Sequence, residues 1–269
     1  MSQINVDIIA PQSAGIVNVN GATIGLSGQA VQLTSYSSFL ASSGSTLIGF
    51  SVGVPTGIQN TLIGFQAGQN TTTAGGNVCV GAAAGTQMTS GGGNVAVGNQ
   101  AGAGCTTGGN NTFVGSYTNG GLVTTGSNNT CLGNGASPAT AATDNSVTLG
   151  NASISSLRCA VTSITSLSDA RDKKEVEDLN VGLDFIDGLR PVKFVWDDRD
   201  EAGKHDIADF GFIAQDLKAA EEAVEMADVL KLVYDENPEK LEASYGKLIP
   251  ILVKAVQELS AEVKLLKSK

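Results

Sequence analysis

The residues of this 269-residue chain that can move protons, ligate metals or attack carbonyls are almost all confined to its last 102 positions. From Met1 to Leu167 the charged residues are Asp7, Asp144 and Arg158, with no Lys, Glu or His, whereas 15 Lys/Arg and 24 Asp/Glu follow from Ser168 onward. Glycoside hydrolysis normally requires two carboxylates in one site, and Asp7 and Asp144 lie too far apart in sequence to presume a pair. Cys79, Cys105, Cys131 and Cys159 form no Cys-x-x-Cys and are expected as small, buried, reduced thiols. Neither metal nor cofactor is expected. His205, the single histidine, is expected in a solvated loop. Ser168-Asp169, placed just before the charged run that holds Arg171 and Lys173, reads on its own as a helix cap.

The elements that must carry these groups follow two different rules. Glycine is concentrated before Ser168, with 29 of the 34 residues there. The net charge of −10 belongs almost wholly to the later part. Clustered Lys and Arg are needed for a nucleic-acid backbone or an anionic membrane surface, so neither is expected as a partner. No run of 18 apolar residues exists, and no membrane-spanning helix is expected. The opening MSQINVDIIAPQ lacks the basic and apolar regions of a signal peptide.

The glycine-rich part is built from an internal repeat. The segments STLIG, NTLIG, NVCVG, NVAVG, NTFVG, NTCLG and SVTLG end at Gly49, Gly64, Gly81, Gly98, Gly115, Gly133 and Gly150, in steps of 15, 17, 17, 17, 18 and 17 residues. One residue before the glycine sits Ile48, Ile63, Val80, Val97, Val114, Leu132 or Leu149. Three before it sits Thr46, Thr61, Val78, Val95, Thr112, Thr130 or Val147. Positions two apart share a side of a strand, so these predict one short, inward-facing strand per repeat, with the varied residue between them, such as Ala96 or Phe113, facing outward. Asn60, Asn77, Asn94, Asn111 and Asn129 precede the strands. Asn tolerates left-handed backbone, so each is expected to start a coil. Gly53, Gly68, Gly85 and Gly102 recur four residues after the strand glycine, where a tight bend or close backbone approach is expected. One coil cannot bury its apolar stripe alone, but stacked coils can. Ordering so long a glycine-rich stretch is costly, so the stripe is expected to be buried against partner chains as well.

Residues 45–150, with the unit Asn-x-β-x-Gly followed by Ala-Gly, resemble the head repeats of trimeric bacterial adhesins and the β-helical shafts of phage tail fibres. The adhesins carry a secretion signal and a membrane barrel, so the fibre is the better fit. The resemblance implies a passive shaft. A receptor-binding surface, if present, would use the outward residues, and Phe50, Phe65, Phe113 and Tyr117 are the aromatics available for a sugar or a surface protein. Residues 1–44 show no clear period and read as a β-rich lead-in or attachment segment. Residues 151–167 alternate Ile154, Leu157, Val161, Ile164 and Leu167 with small polar residues, as a closing strand or neck would.

From Ser168 the chain resembles the intramolecular chaperone auto-processing domain of phage tail spikes and fibres. Four motifs in family order carry this: Ser168-Asp169-x-Arg171-x-Lys173, the run Leu189-Arg190-Pro191-Val192-Lys193-Phe194-Val195-Trp196, Gly211-Phe212-Ile213-Ala214-Gln215, and Tyr245-Gly246-Lys247-Leu248-Ile249-Pro250. The resemblance implies cleavage between Ser168 and Asp169 after trimer formation. Ser168 would supply the hydroxyl, and Lys173 would be its proton acceptor if burial lowers the amine's pKa toward neutrality. A serine attacking its own carbonyl would close a strained four-membered ring, so the attack would come from a neighbouring chain or from a water held by Ser168 and Lys173. Arg171, His205 and Gln215 are candidate supporting residues, although the gap from His205 to Gly211 is wider than the family pattern. Read without the family, Ile249, Leu252, Val256, Leu259, Val263 and Leu266 follow the 3,4 spacing of a coiled-coil seam, and Pro250 suits a helix's first turn.

The expected architecture is therefore an all-β, Gly-rich trimeric β-helix or β-roll shaft over 45–150, a neck over 151–167, and an α+β module over 168–269 that ends in a coiled-coil helix. The expected function is a structural tail fibre for host recognition, folded in the host cytoplasm and resident in the virion. Its partners would be two further copies of itself, tail or baseplate proteins, and a host polysaccharide or protein receptor. Its one activity would be self-cleavage as a Ser/Lys serine endopeptidase, with no external substrate. The alternative is a tail-spike enzyme acting on surface polysaccharide, for which the carboxylates are lacking. A membrane-anchored transcription factor, which also uses this chaperone domain, would need a basic DNA-binding domain and a membrane helix.

Overall fold

The computed structural model describes residues 44–119, 124–160, 164–199 and 204–269, together with three upstream strands, β1 (Thr23–Leu26), β2 (Gln29–Gln32) and β3 (Ser38–Ser42). β1 and β2 pair antiparallel. The rest of the segment read as a lead-in falls outside the described residues, as does Val161. The chain divides into two compact units between Gly150 and Asn151.

The first unit is a parallel β-solenoid of about six turns. Its seven stacked strands are β4 (Ser45–Gly49), β5 (Thr61–Ile63), β6 (Val78–Val80), β7 (Val95–Val97), β8 (Thr112–Val114), β9 (Thr130–Leu132) and β10 (Val147–Leu149). β3 pairs antiparallel with β4, and every later pair is parallel and in phase, so Thr46, Thr61, Val78, Val95, Thr112, Thr130 and Val147 form one column. The repeat step is thus one coil. Each strand ends in a glycine with a positive φ, +134° at Gly81, where a Cβ would stand 2.3 Å from the Gly98 carbonyl oxygen of the next coil. No other residue permits stacking that close.

The facing of the strands is the reverse of the sequence expectation. The middle residues, Leu47, Leu62, Cys79, Ala96, Phe113 and Cys131, fill the solenoid interior at 0–1% exposure. The flanking residues lie on the outer surface, where Ile48, Val97, Val114 and Leu132 remain 36–38% exposed. The coil is narrow, so one side chain per strand fills it together with Ala67, Ala84, Met88 and Ala101. Volume is balanced between neighbouring coils: Phe113 lies over Ala96, and a Cβ at Gly102 would meet its ring at 2.8 Å. Phe113 is therefore core and not a receptor aromatic, whereas Phe50, Phe65 and Tyr117 are exposed and the first two stack at 5.8 Å. Three of the cysteines are interior, but Cys159 is exposed. Burial pushes the Cys79 thiol up to about 12.

The repeating asparagines also play a different part from the one expected. The left-handed residue is the one before each of them, such as Gly76, Gly93, Asn110 or Asn128. Asn60, Asn77, Asn94, Asn111 and Asn129 are themselves buried. Each accepts from the backbone N–H of its successor, Asn77 to Asn60 at 3.0 Å, Asn94 to Asn77 at 2.8 Å, Asn111 to Asn94 and Asn129 to Asn111 at 2.9 Å. Each Nδ2 donates to a carbonyl of the adjacent coil, as Asn94 does to Gly108 at 2.9 Å. A buried amide ladder satisfies the backbone groups that the corner takes out of water. Asp144 serves a similar structural end, accepting from the Ser127 N–H at 2.5 Å.

Asn94→Ala is therefore expected to strand the buried Asn111 N–H and to leave the buried Gly108 carbonyl with only the weak Cys105 thiol donor. At about 1–3 kcal/mol each, the loss is on the order of 2–6 kcal/mol. Thermal unfolding should show a marked drop for Asn94→Ala and almost none for the exposed Asn99→Ala; equal curves would remove the ladder's structural role.

The second unit is a small α+β body. Its elements are α1 (Leu183–Gly188), β11 (Val192–Asp197), β12 (His205–Gly211), α2 (Ala214–Ala223), α3 (Ala227–Leu230), β13 (Val233–Tyr234), β14 (Glu242–Ala243) and α4 (Leu248–Lys267). β11 with β12 and β13 with β14 form antiparallel pairs. Val181, Phe185, Leu230, Leu232, Leu248 and Ile251 make the core. Residues 152–160 and 164–167, read as a closing strand or neck, form no strand. Ile154, Leu157, Ile164 and Leu167 all stand exposed.

Candidate functional site

The chemistry-bearing motif sits in one turn. Asp169 caps a 3-10 helix spanning Ala170–Asp172, its Oδ1 accepting from the Arg171 N–H at 2.9 Å. That turn brings Lys173 back onto Ser168: its Nζ donates to Ser168 Oγ at 2.6 Å and to the Ser168 carbonyl oxygen at 2.9 Å. The carbonyl belongs to the peptide bond joining Ser168 to Asp169. On the other side of that bond, Arg171 grips the Asp169 carboxylate, with Nε to Oδ1 at 3.0 Å and an Nη to Oδ2 at 2.6 Å. The Arg171 side chain holds the Asp169 carboxyl below the usual carboxylate range, helped by the Arg171 backbone N–H.

The helix-cap reading of Ser168-Asp169 is thus true of Asp169, while Ser168 instead pairs with Lys173. The whole turn is exposed. The burial attached to a proton-accepting Lys173 is absent within one chain. Chemically, an ammonium that donates to both oxygens of Ser168 polarises the carbonyl and is poised to hold the oxyanion that attack on it would form.

Of the three supporting candidates, Arg171 stands in the turn itself, on Asp169, and the other two stand elsewhere. His205 opens β12, with Nδ1 3.4 Å from Asp197 Oδ1. Gln215 lies in the first turn of α2, in the wall of a cleft of about 700 Å³ that Trp196 and Tyr245 also line. Neither hydrogen-bonds to Ser168, whose partner among the described residues is Lys173.

The three other motifs meet one another. The Tyr245 hydroxyl accepts from the Phe212 N–H at 3.1 Å and donates to the Phe212 carbonyl at 3.3 Å, with the two rings edge to face at 5.7 Å. A Cβ at Gly211 would come within 2.7 Å of that hydroxyl, so a side chain there would displace the Tyr245 ring. Arg190 pairs with Asp216 at 2.7 Å, and the Trp196 indole donates to Asp209 at 3.0 Å. Sequence order names these residues but not their pairings. Glu258 carries no sequence signal at all. Its carboxylate accepts from the Leu183 N–H at 2.7 Å, a backbone bond that holds it below the usual range and ties α4 to the start of α1.

Helix α4 carries two apolar faces. Leu248, Ile251 and Ala255 are buried in the module's own core. Ile249, Leu252, Val256, Leu259, Val263 and Leu266, the predicted seam, are all uncovered, at 39–69% exposure. The β11–β12 hairpin likewise leaves Val195, Ile207 and Phe210 exposed.

Comparison with curated proteins and with solved structures returns no match. A peptidase S74 family model, described as chaperone of endosialidase, matches residues 168–228. That span opens on Ser168 and takes in three of the four motifs, and it supports a C-terminal chaperone domain of the kind carried by phage tail proteins.

Proposed function

We propose that this chain is a structural phage tail fibre whose module from Ser168 onward aligns three copies, drives their folding, and then leaves by hydrolysis of the Ser168–Asp169 bond. The observation that carries the reading is Lys173 Nζ bridging the hydroxyl and the carbonyl of Ser168, at 2.6 and 2.9 Å, at the first residue of the family match. Attack at the Ser168 carbonyl carbon gives a tetrahedral oxyanion held by Lys173. The C–N bond then breaks, Asp169 leaves with a protonated α-amine, and Ser168 ends in a carboxylate. The nucleophile is a water, or a neighbouring chain's Ser168 hydroxyl whose ester a water then hydrolyses to the same carboxylate, because the residue's own hydroxyl would close a four-membered ring.

Trimerisation is supported by three sets of exposed apolar side chains: the outer strand face of the solenoid, Ile154, Leu157, Ile164 and Leu167, and the second stripe of α4. Obligate interfaces resemble a core cut in half, and such faces fit copies of this same chain. The fibre reading is favoured over a polysaccharide-cleaving spike, since the one described carboxylate before Ser168, Asp144, is spent on the backbone of a neighbouring coil.

Freshly expressed protein is expected to give two masses, residues 1–168 and 169–269, and light scattering of the larger fragment is expected to give three copies. A monomer, or a chain that stays at full length for days while folded, would overturn the proposal.

A further inference from the structure

We infer that Arg171 is a positioning residue for the Ser168–Asp169 bond, holding the Asp169 carboxylate away from Lys173 so that Lys173 stays on Ser168. This rests on the cleavage reading above and adds a residue to it. Two cations reach back across the same short turn, one to each side of the bond. Lys173 takes both oxygens of Ser168, and Arg171 takes both oxygens of Asp169. The division is not forced by charge. Asp169 adjoins Ser168, and a carboxylate is a stronger partner for an ammonium than a hydroxyl and an amide carbonyl are.

A fork geometry decides the matter. A guanidinium presents paired, coplanar N–H donors that match a carboxylate, whereas an ammonium is a point donor. Arg171 adds its own backbone N–H, so Asp169 receives three hydrogen bonds from one residue. The pair is exposed, with side-chain exposures of 87% for Arg171 and 43% for Asp169. Exposed ion pairs contribute little to stability, so the contact is poorly explained as a fold-holding one. The remaining charges of the turn are engaged otherwise or lie beyond it: Lys174 pairs with Glu175 at 3.6 Å, and Asp172 adjoins Lys173 in sequence but forms no ion pair among the described residues.

Without Arg171, the Asp169 carboxylate draws Lys173 off the carbonyl it must polarise. The consequence is a rescue that a structural role would not produce. In cell-free synthesis of the full chain, Arg171→Ala is expected to slow cleavage roughly tenfold or more, in line with the loss of one oriented electrostatic donor. Asp169→Asn sets the reference rate for the double variant: Arg171→Ala/Asp169→Asn should cleave at the Asp169→Asn rate, because the competing anion is gone. Arg171→Lys should remain slow, as it restores charge without the fork. The Ser168→Ala background, with and without Arg171→Ala, should give trimers of equal thermal stability. Wild type that stays uncut removes the cleavage reading and this inference together. Wild type that cleaves alongside an equally fast Arg171→Ala, a double variant slower than Asp169→Asn by the factor that separates Arg171→Ala from wild type, or a loss of trimer on adding Arg171→Ala to the Ser168→Ala background would overturn this inference alone.

Discussion

Ser168→Ala is expected to accumulate as a full-length, normally folded trimer. The change removes the one hydroxyl that Lys173 contacts, in a turn where no residue is buried. Surface substitutions of this kind leave stability almost untouched, so folding and cutting should separate cleanly. Lys173→Ala should slow cleavage on the order of 10²–10⁴-fold, the usual worth of a positioned proton-transfer or oxyanion group. Lys174→Ala, which loses only a pairing with Glu175, should cleave at close to the wild-type rate. Intact mass against time distinguishes the three. Mixed trimers identify the nucleophile: if a neighbouring hydroxyl attacks, Ser168→Ala chains assembled with wild-type chains are cut, and if each Ser168 positions its own water, they stay whole. Cleavage of homogeneous Ser168→Ala at the wild-type rate would place the chemistry elsewhere.

The second large effect lies in assembly. Ending the gene at Ser168 should leave most of the product insoluble or out of register, although the proposed mature fibre has that same sequence. The described part of the solenoid before Ser168 is closed by contacts between coils, each about 17 residues from the next, and it has an uncovered outer face of Val, Ile, Leu and Thr. Little in that face marks register, since every coil presents a similar pair, Thr or Val followed by Ile, Val or Leu. A shift of one whole coil between chains would cost little locally, and non-local pairing forms slowly. The α4 stripe is different: its heptads end within one helix, so three copies can align in one way. Val256→Glu/Leu259→Glu, which loads that stripe with charge and leaves Leu248, Ile251 and Ala255 in place, should reproduce the truncation's defect. Soluble, protease-resistant trimers from the truncated gene would remove the chaperone role. Loss of the module after folding would leave the fibre kinetically trapped.

How much of this was legible before any coordinates follows from the physics of each signal. The coil was legible because strand, glycine and bend recur at a near-constant step, and a solenoid needs little more than that step. The exposed stripe on α4 was legible because helical periodicity projects directly onto a face. The Ser168–Lys173 contact was reachable only through motif resemblance, since spacing alone also fits a helix cap. The facing of the strands was not legible at all. A three-residue strand has two sides, a period of two allows either to point inward, and here both carry apolar residues, the middle ones inside the coil and the flanking Ile, Val and Leu on its outer face. Residue class cannot tell a core from an interface. The decision belongs to the closure of the coil, through the positive-φ glycine after each strand and the buried asparagine before it. The Asn ladder, the Tyr245–Phe212 lock and the Arg171 fork were settled in the same way, by groups that become neighbours only once the backbone has turned.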